Sequence, residues 1–125
     1  MALSASVPGQ IQADQIDPVT SSPNMYRLLF ENAHVRVVRY QIEPGDKDEW
    51  HTHPAKVSYI VTGGTLRITT ADGNSFVVDE STDSASWLGA IGKHHGENIG
   101  TDTVRIVFVE IKSVDEVWNG KLDRQ

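Results

Sequence analysis

The sequence predicts an all-β domain, a sandwich or barrel, on three observations. Seven to nine short segments rich in Val, Ile, Tyr, Phe and Thr recur between residues 25 and 113. Clusters of Gly, Pro, Asn and Asp stand between them, as turns joining antiparallel strands require. Only residues 114–125 have a composition suited to a short helix, and Asn119-Gly120 interrupts them. Strands this short are stable only in sheets packed face to face, so the chain must bury them as a two-sheet sandwich or a closed barrel.

Taken in order, residues 1–24 carry Ser, Gln, Asp and Pro with scattered apolar side chains. They are expected to form an extended or partly disordered arm, able to order on a neighbouring subunit. Residues 25–113 make the barrel, and residues 114–125 a tail or short helix. The first strand covers residues 26–30. The β-branched run at residues 34–42 is stopped by Glu43-Pro44-Gly45. Residues 57–61 lead to Gly63-Gly64, and residues 66–70 follow. Ala71-Asp72-Gly73-Asn74 marks a hairpin, because Asp-Gly readily supplies positive φ. Residues 75–78 return, residues 84–88 form a short strand, and residues 103–111 are the longest clean one. There both alternating sets, Val104, Ile106, Phe108 and Val107, Val109, are largely apolar, which predicts burial on two faces.

A chain of 125 residues is one domain with room for a real core. It has no cysteine, so disulfides and thiolate metal sites are excluded, and any metal must take nitrogen and oxygen ligands. With a net charge of -6 and no basic cluster, a nucleic-acid partner is not expected. No apolar run approaches the roughly 18 residues of a membrane helix. Residues 1–10 lack a basic start and a continuous apolar run, so a secretory signal is not expected and the cytoplasm is the default location. No G-x-S-x-G elbow offers a serine nucleophile.

Four of the five histidines fall in two patches, Trp50-His51-Thr-His53 and Lys93-His94-His95. Residues two apart in a strand share a face, so His51 and His53 can present both rings to one ion. A third histidine from a distant strand would complete a site with open positions. Alone, a His-x-His pair fits two surface histidines equally well. Gly45, His51, His53 and Gly64, followed by His94 and Asn98, make the larger pattern. It resembles the two motifs of the cupin family, over about residues 26–112. The first motif is a glycine, five residues, His-x-His, three or four residues, a glutamate, six residues and a closing glycine. Here Val57 holds the glutamate place. The second is proline-x-glycine, two residues, a histidine, three residues and an asparagine, with Gly89 and Ile91 in the places of the proline and glycine. More narrowly, residues 53–61 and 96–100 resemble small single-domain bacterial cupins, some of them assigned to β-alanine degradation.

The resemblance implies a double-stranded β-helix, or jelly-roll, with one divalent metal ion (Fe, Mn, Ni or Zn) on His51, His53 and His94 inside the barrel mouth. His95 is the alternative third ligand if a bulge exchanges the two, and otherwise a pocket-lining residue. Continued alternation from His53 would place Val57 and Tyr59 in the pocket wall and Lys56 toward solvent. Glu49 shares parity with His51 and would reach toward the ion or stay on the rim. Three neutral imidazoles leave the ion at +2, which favours a small anionic chelating substrate. Three-histidine cupins include thiol and β-diketone dioxygenases that use iron(II), so dioxygenase-type chemistry is the expected activity, by analogy of fold. The alternative is a non-catalytic small-molecule-binding barrel, with or without metal. Metal affinity is expected to fall as pH drops through roughly 6.5. A homodimer is expected, since the family pairs its subunits and an open sheet edge needs cover.

Overall fold

The computed structural model describes residues 14–113 and 120–125. Among them lie one helical turn, α1 (Pro18–Ser21), and nine strands: β1 (Tyr26–Glu31), β2 (Val35–Ile42), β3 (His51–His53), β4 (Lys56–Thr62), β5 (Gly64–Thr70), β6 (Ser75–Glu80), β7 (Ser84–Leu88), β8 (Ile91–Asn98) and β9 (Val104–Ile111). They form two antiparallel sheets, ordered β1-β2-β9-β4-β7 and β3-β8-β5-β6. The chain repeatedly leaves one sheet for the other, at β2–β3, β3–β4, β4–β5, β6–β7, β7–β8 and β8–β9. That is jelly-roll wiring.

The core lies between the sheets. In β2 the inward set is Arg36, Val38, Tyr40 and Ile42, and in β9 it is Val104, Ile106, Phe108 and Glu110. The alternation in β9 is clean, with Arg105, Val107, Val109 and Ile111 half-buried on the other face. This corrects the expectation of burial on two faces: β9 is flanked by β2 and β4 within its own sheet, but its inner side alone is fully buried. Each fully buried Val, Ile or Phe contributes about 1.5–3 kcal/mol, and these side chains come mostly from the larger sheet.

Turns form where the residue types require them. Gly73 adopts φ +88° between β5 and β6, and Asp72 accepts from the backbone N–H of Asn74 at 3.1 Å. Asn98 ties down the β8–β9 connection. Its Nδ2 donates to the carbonyls of Ile42 (3.0 Å) and Asp102 (2.8 Å), and its Oδ1 accepts from Gly100 N–H at 3.0 Å.

Of the expected N-terminal arm, residues 1–13 lie outside the described residues. The next stretch packs on the barrel: Asp17 caps α1 through Val19 N–H and accepts from the Arg36 guanidinium at 2.9 Å, while Ile16 exchanges hydrogen bonds with Thr52. Of the expected tail or helix, residues 114–119 lie outside the described residues, and residues 120–125 are not helical.

Candidate metal centre

His51 and His53 stand on β3, an edge strand, and His94 on its neighbour β8, with His51 and His94 in register. The ladder is irregular between His51 and His53, because His53 pairs with Ile91. A bulge of this kind re-aims side chains, and here all three histidines turn inward, with exposures of 1%, 5% and 5%. Their ligand nitrogens lie within 4.8 Å of one another. Among the described residues no Cys, Asp or Glu joins this group.

Hydrogen bonds decide which nitrogens face the centre. His51 Nδ1 lies 2.7 Å from the Glu49 carbonyl and His94 Nδ1 lies 2.7 Å from the Gly92 carbonyl. A carbonyl can only accept, so each Nδ1 carries the proton and each Nε2 keeps its lone pair. His53 Nδ1 is buried without a hydrogen-bond partner, 3.8 Å from Glu110 Oε2. Burial also keeps the rings neutral. It pushes His51 and His94 down to about 4 and His53 well below its usual range, with the neighbouring histidines and Lys56 adding in the same direction. Neutral imidazole is the form that ligates, so the donor set fits a divalent ion.

Around the histidines sits a buried hydrogen-bond network. Asp48 accepts from Gly96 N–H at 2.7 Å, from Tyr40 O–H at 2.9 Å and from Tyr26 O–H at 3.3 Å. Tyr26 Oη is also 3.2 Å from His51 Nε2, so its single proton can serve the imidazole or the carboxylate. The histidines open onto a cavity of about 270 Å³, with Lys56, Ser58 and Glu80 among its polar walls and Phe76, Leu88 and Ile91 among its apolar ones.

The pocket-wall expectations need correcting. Val57 and Tyr59 do not line this cavity. Tyr59 is 41% exposed and its hydroxyl donates to Asp83. Lys56, expected in solvent, is buried and lines the cavity instead. The chain bends at Pro54-Ala55 and passes from one sheet to the other, so the alternation set by His53 ends there. A one-residue change of parity exchanges the two faces of a strand completely. His95 also lies outside the cavity lining, half-buried with its ring edge-on to Trp50 at 4.4 Å. Glu49 is exposed.

Sequence reasoning missed Asp48, Tyr26 and Tyr40 as neighbours of the site, and it assigned no place to Glu110. A usable signal existed for Glu110, the fourth member of an otherwise apolar period-2 set in β9. Burial raises its carboxyl to about 7, against the lowering by Arg36. No comparable pattern marks Asp48, which precedes β3 in an irregular segment.

No family model matches the sequence, and no curated protein does. Solved structures do match. A cupin domain from Bordetella pertussis Tohama I superposes with a TM-score of 0.65 at 23% identity, over 71% of this chain and 93% of that one. An RmlC-like cupin family protein with a double-stranded β-helix fold, from Methanocaldococcus jannaschii, gives 0.57 at 15% identity, over 89% and 94%. A double-stranded β-helix protein from Klebsiella pneumoniae gives 0.54 at 18%, over 70% and 76%. Two antiparallel sheets wired as a jelly roll enclose an inward cluster of three histidines that could hold a metal ion. The fold is the cupin double-stranded β-helix.

Proposed function

We propose that His51, His53 and His94 hold one divalent metal ion, and that the cavity above them admits a small anionic substrate that chelates it. Dioxygenase-type chemistry is the reaction class we assign. The observation that carries this reading is the convergence of three buried, neutral imidazoles, with ligand nitrogens within 4.8 Å of one another, beside the cavity. Such an ion would supply Lewis acidity and, if redox-active, electron-transfer chemistry.

The chain's own groups have separable parts in this scheme. The Glu49 and Gly92 carbonyls fix the tautomer and direction of His51 and His94. Tyr26 turns its O–H to donate to Asp48 when the His51 lone pair is engaged elsewhere, which keeps the hydroxyl satisfied in either state. Lys56 favours negative charge in the cavity. The apolar walls exclude water from the reacting region.

Elemental analysis of untagged protein, beside the His51→Ala variant, tests the metal. The reading expects about one first-row ion per chain in the wild type and trace amounts in the variant. Trace metal in both, with no uptake of iron(II), manganese, nickel or zinc by the wild type, leaves a metal-free binding barrel. Oxygen consumption with β-dicarbonyl and thiol compounds then tests the reaction class.

A further inference from the structure

Lys56 is the cavity residue that neither the fold nor the metal centre requires. It opens β4, is only 4% exposed and lines the cavity. Its Nζ reaches Ser58 Oγ at 3.4 Å and sits 4.4 Å from the centroid of the Phe108 ring. Among the described residues no carboxylate lies within the 4.0 Å of an ion pair, although Glu110 and Glu80 are near enough to be felt.

Magnitudes argue against a stabilising role. Removing an ammonium from water costs several kcal/mol. A cation–π contact returns about 0.5–2 kcal/mol, and a long hydrogen bond to a neutral hydroxyl about 1 kcal/mol or less. A buried cation with no carboxylate in ion-pair contact, in a chain of net charge -6, is therefore suited to an anion that arrives from outside. Burial lowers Lys56 to about 8, so it is still mostly charged near neutrality.

The surroundings narrow the anion. Ser58 pairs in register with Ser86 of β7, and both line the cavity beside Lys56. One cation and two hydroxyls suit a carboxylate. A dianion such as phosphate would meet Glu80 on the same wall with too little positive charge to offset it. Toward solvent the lining turns apolar, with Phe76 50% and Leu88 44% exposed.

We propose that Lys56, Ser58 and Ser86 form a carboxylate subsite of this cavity, and that its substrate is a monocarboxylate whose apolar or aromatic substituent lies toward Phe76 and Leu88. The inference rests on the proposed function only in taking this cavity as the substrate site.

Benzoate and its neutral isostere benzamide test it by calorimetric titration of full-length wild type, Lys56→Met and Lys56→Arg. Each protein is titrated both after chelator treatment and after metal loading. In the metal-free wild type, benzoate should bind at least about tenfold more tightly than benzamide. Lys56→Met should erase that preference, and Lys56→Arg should keep most of it. Failure of benzoate to bind, equal binding of the two ligands, or undiminished benzoate binding by Lys56→Met overturns the proposal. The comparison of ligands on wild type decides even if a variant does not fold. Metal content of the metal-loaded preparations reports separately on the histidines: discrimination by a wild type that fails to take up metal on loading keeps the subsite and sinks the metal centre.

Discussion

His51 and His94 face each other as a registered pair across the β3–β8 ladder, with ring centroids 4.3 Å apart. Directly opposed residues in an antiparallel pair project to the same side. His95, one residue on, therefore belongs to the other face, where it meets Trp50. Substitution at the two neighbours should separate cleanly. His94→Ala should lower metal content more than tenfold, and His95→Ala should leave it near the wild-type value, both read by elemental analysis of untagged protein. Equal losses would mean that the bulge lets the two rings exchange.

The pH response follows from burial. His94 in the folded chain titrates near 4, pushed down from the ordinary 6.5 first by burial and then by the His51 field. Between those values the unfolded chain binds the proton and the folded chain does not, so His94 lowers stability as pH falls from 6.5 toward 4. In chelator-treated protein, His94→Gln should gain about 3 kcal/mol on the wild type across that window, measured by urea unfolding at a series of pH values. A gap that does not change with pH would place His94 in contact with water. By the same token proton competition for the metal should begin well below 6.5, nearer 5, contrary to the expectation from an ordinary histidine.

The strands and the histidine cluster were legible in the sequence because each depends on local pattern. Residues 84–88 were read with the bounds that β7 has, and Asp72-Gly73 was read as the hairpin it forms. His51, His53 and His94 were found by spacing and the glycines around them. The remaining walls of the site were not legible, since they depend on which sheet a strand joins. Pro54-Ala55 gives no sign in the sequence that β4 has left the sheet of β3, and that change exchanges Val57 for Lys56 as the cavity residue.

Val57 supplies a direct check on that exchange. It occupies the place where the family motif carries a glutamate, yet it pairs with Trp87 and Val109 on the opposite face of β4 from the buried Lys56, Ser58 and Ile60. A carboxylate there cannot reach the histidines. Val57→Glu should change metal retention against a chelator by less than about twofold, well under one kcal/mol. A large increase in retention would show the inward parity first read from the sequence to be right.

Asn98 should matter for stability rather than metal. It is 1% exposed, and its amide bridges the Ile42 and Asp102 carbonyls and the Gly100 N–H. Replacement by Ala leaves these groups without their partner, and each one that stays buried costs about 1–3 kcal/mol. Asn98→Ala should lower the unfolding free energy by about 2–4 kcal/mol, seen as a reduced denaturant midpoint at unchanged m-value. Metal bound per folded chain should remain near wild type. Loss of metal at full stability would instead place Asn98 in the centre itself.

The glycine pair at the β4–β5 turn should respond unequally, though only Gly64 falls on a glycine of the motif that the sequence resembles. A Cβ on Gly63 would lie 2.0 Å from the Glu80 carbonyl oxygen and 2.8 Å from Thr82 N, backbone atoms at the end of β6 and in the β6–β7 connection. Gly63 N–H also donates to Thr82 Oγ1 at 2.8 Å, so the two segments are held at that separation. A Cβ on Gly64 would meet Val104 Cγ2 at 2.7 Å, a side-chain methyl at the start of β9. Val104 is fully buried, but one side chain can shift where two fixed backbones cannot. Overpacking costs of 1–3 kcal/mol therefore set the scale for Gly64→Ala, and Gly63→Ala should exceed it, costing on the order of 4 kcal/mol or failing to fold. Thermal unfolding of both variants, with wild type alongside, reads the order. If Gly64→Ala proved the more damaging, the β6–β7 connection would have to stand further from the turn than it does here, and the closure of the barrel at Gly63 would need another explanation.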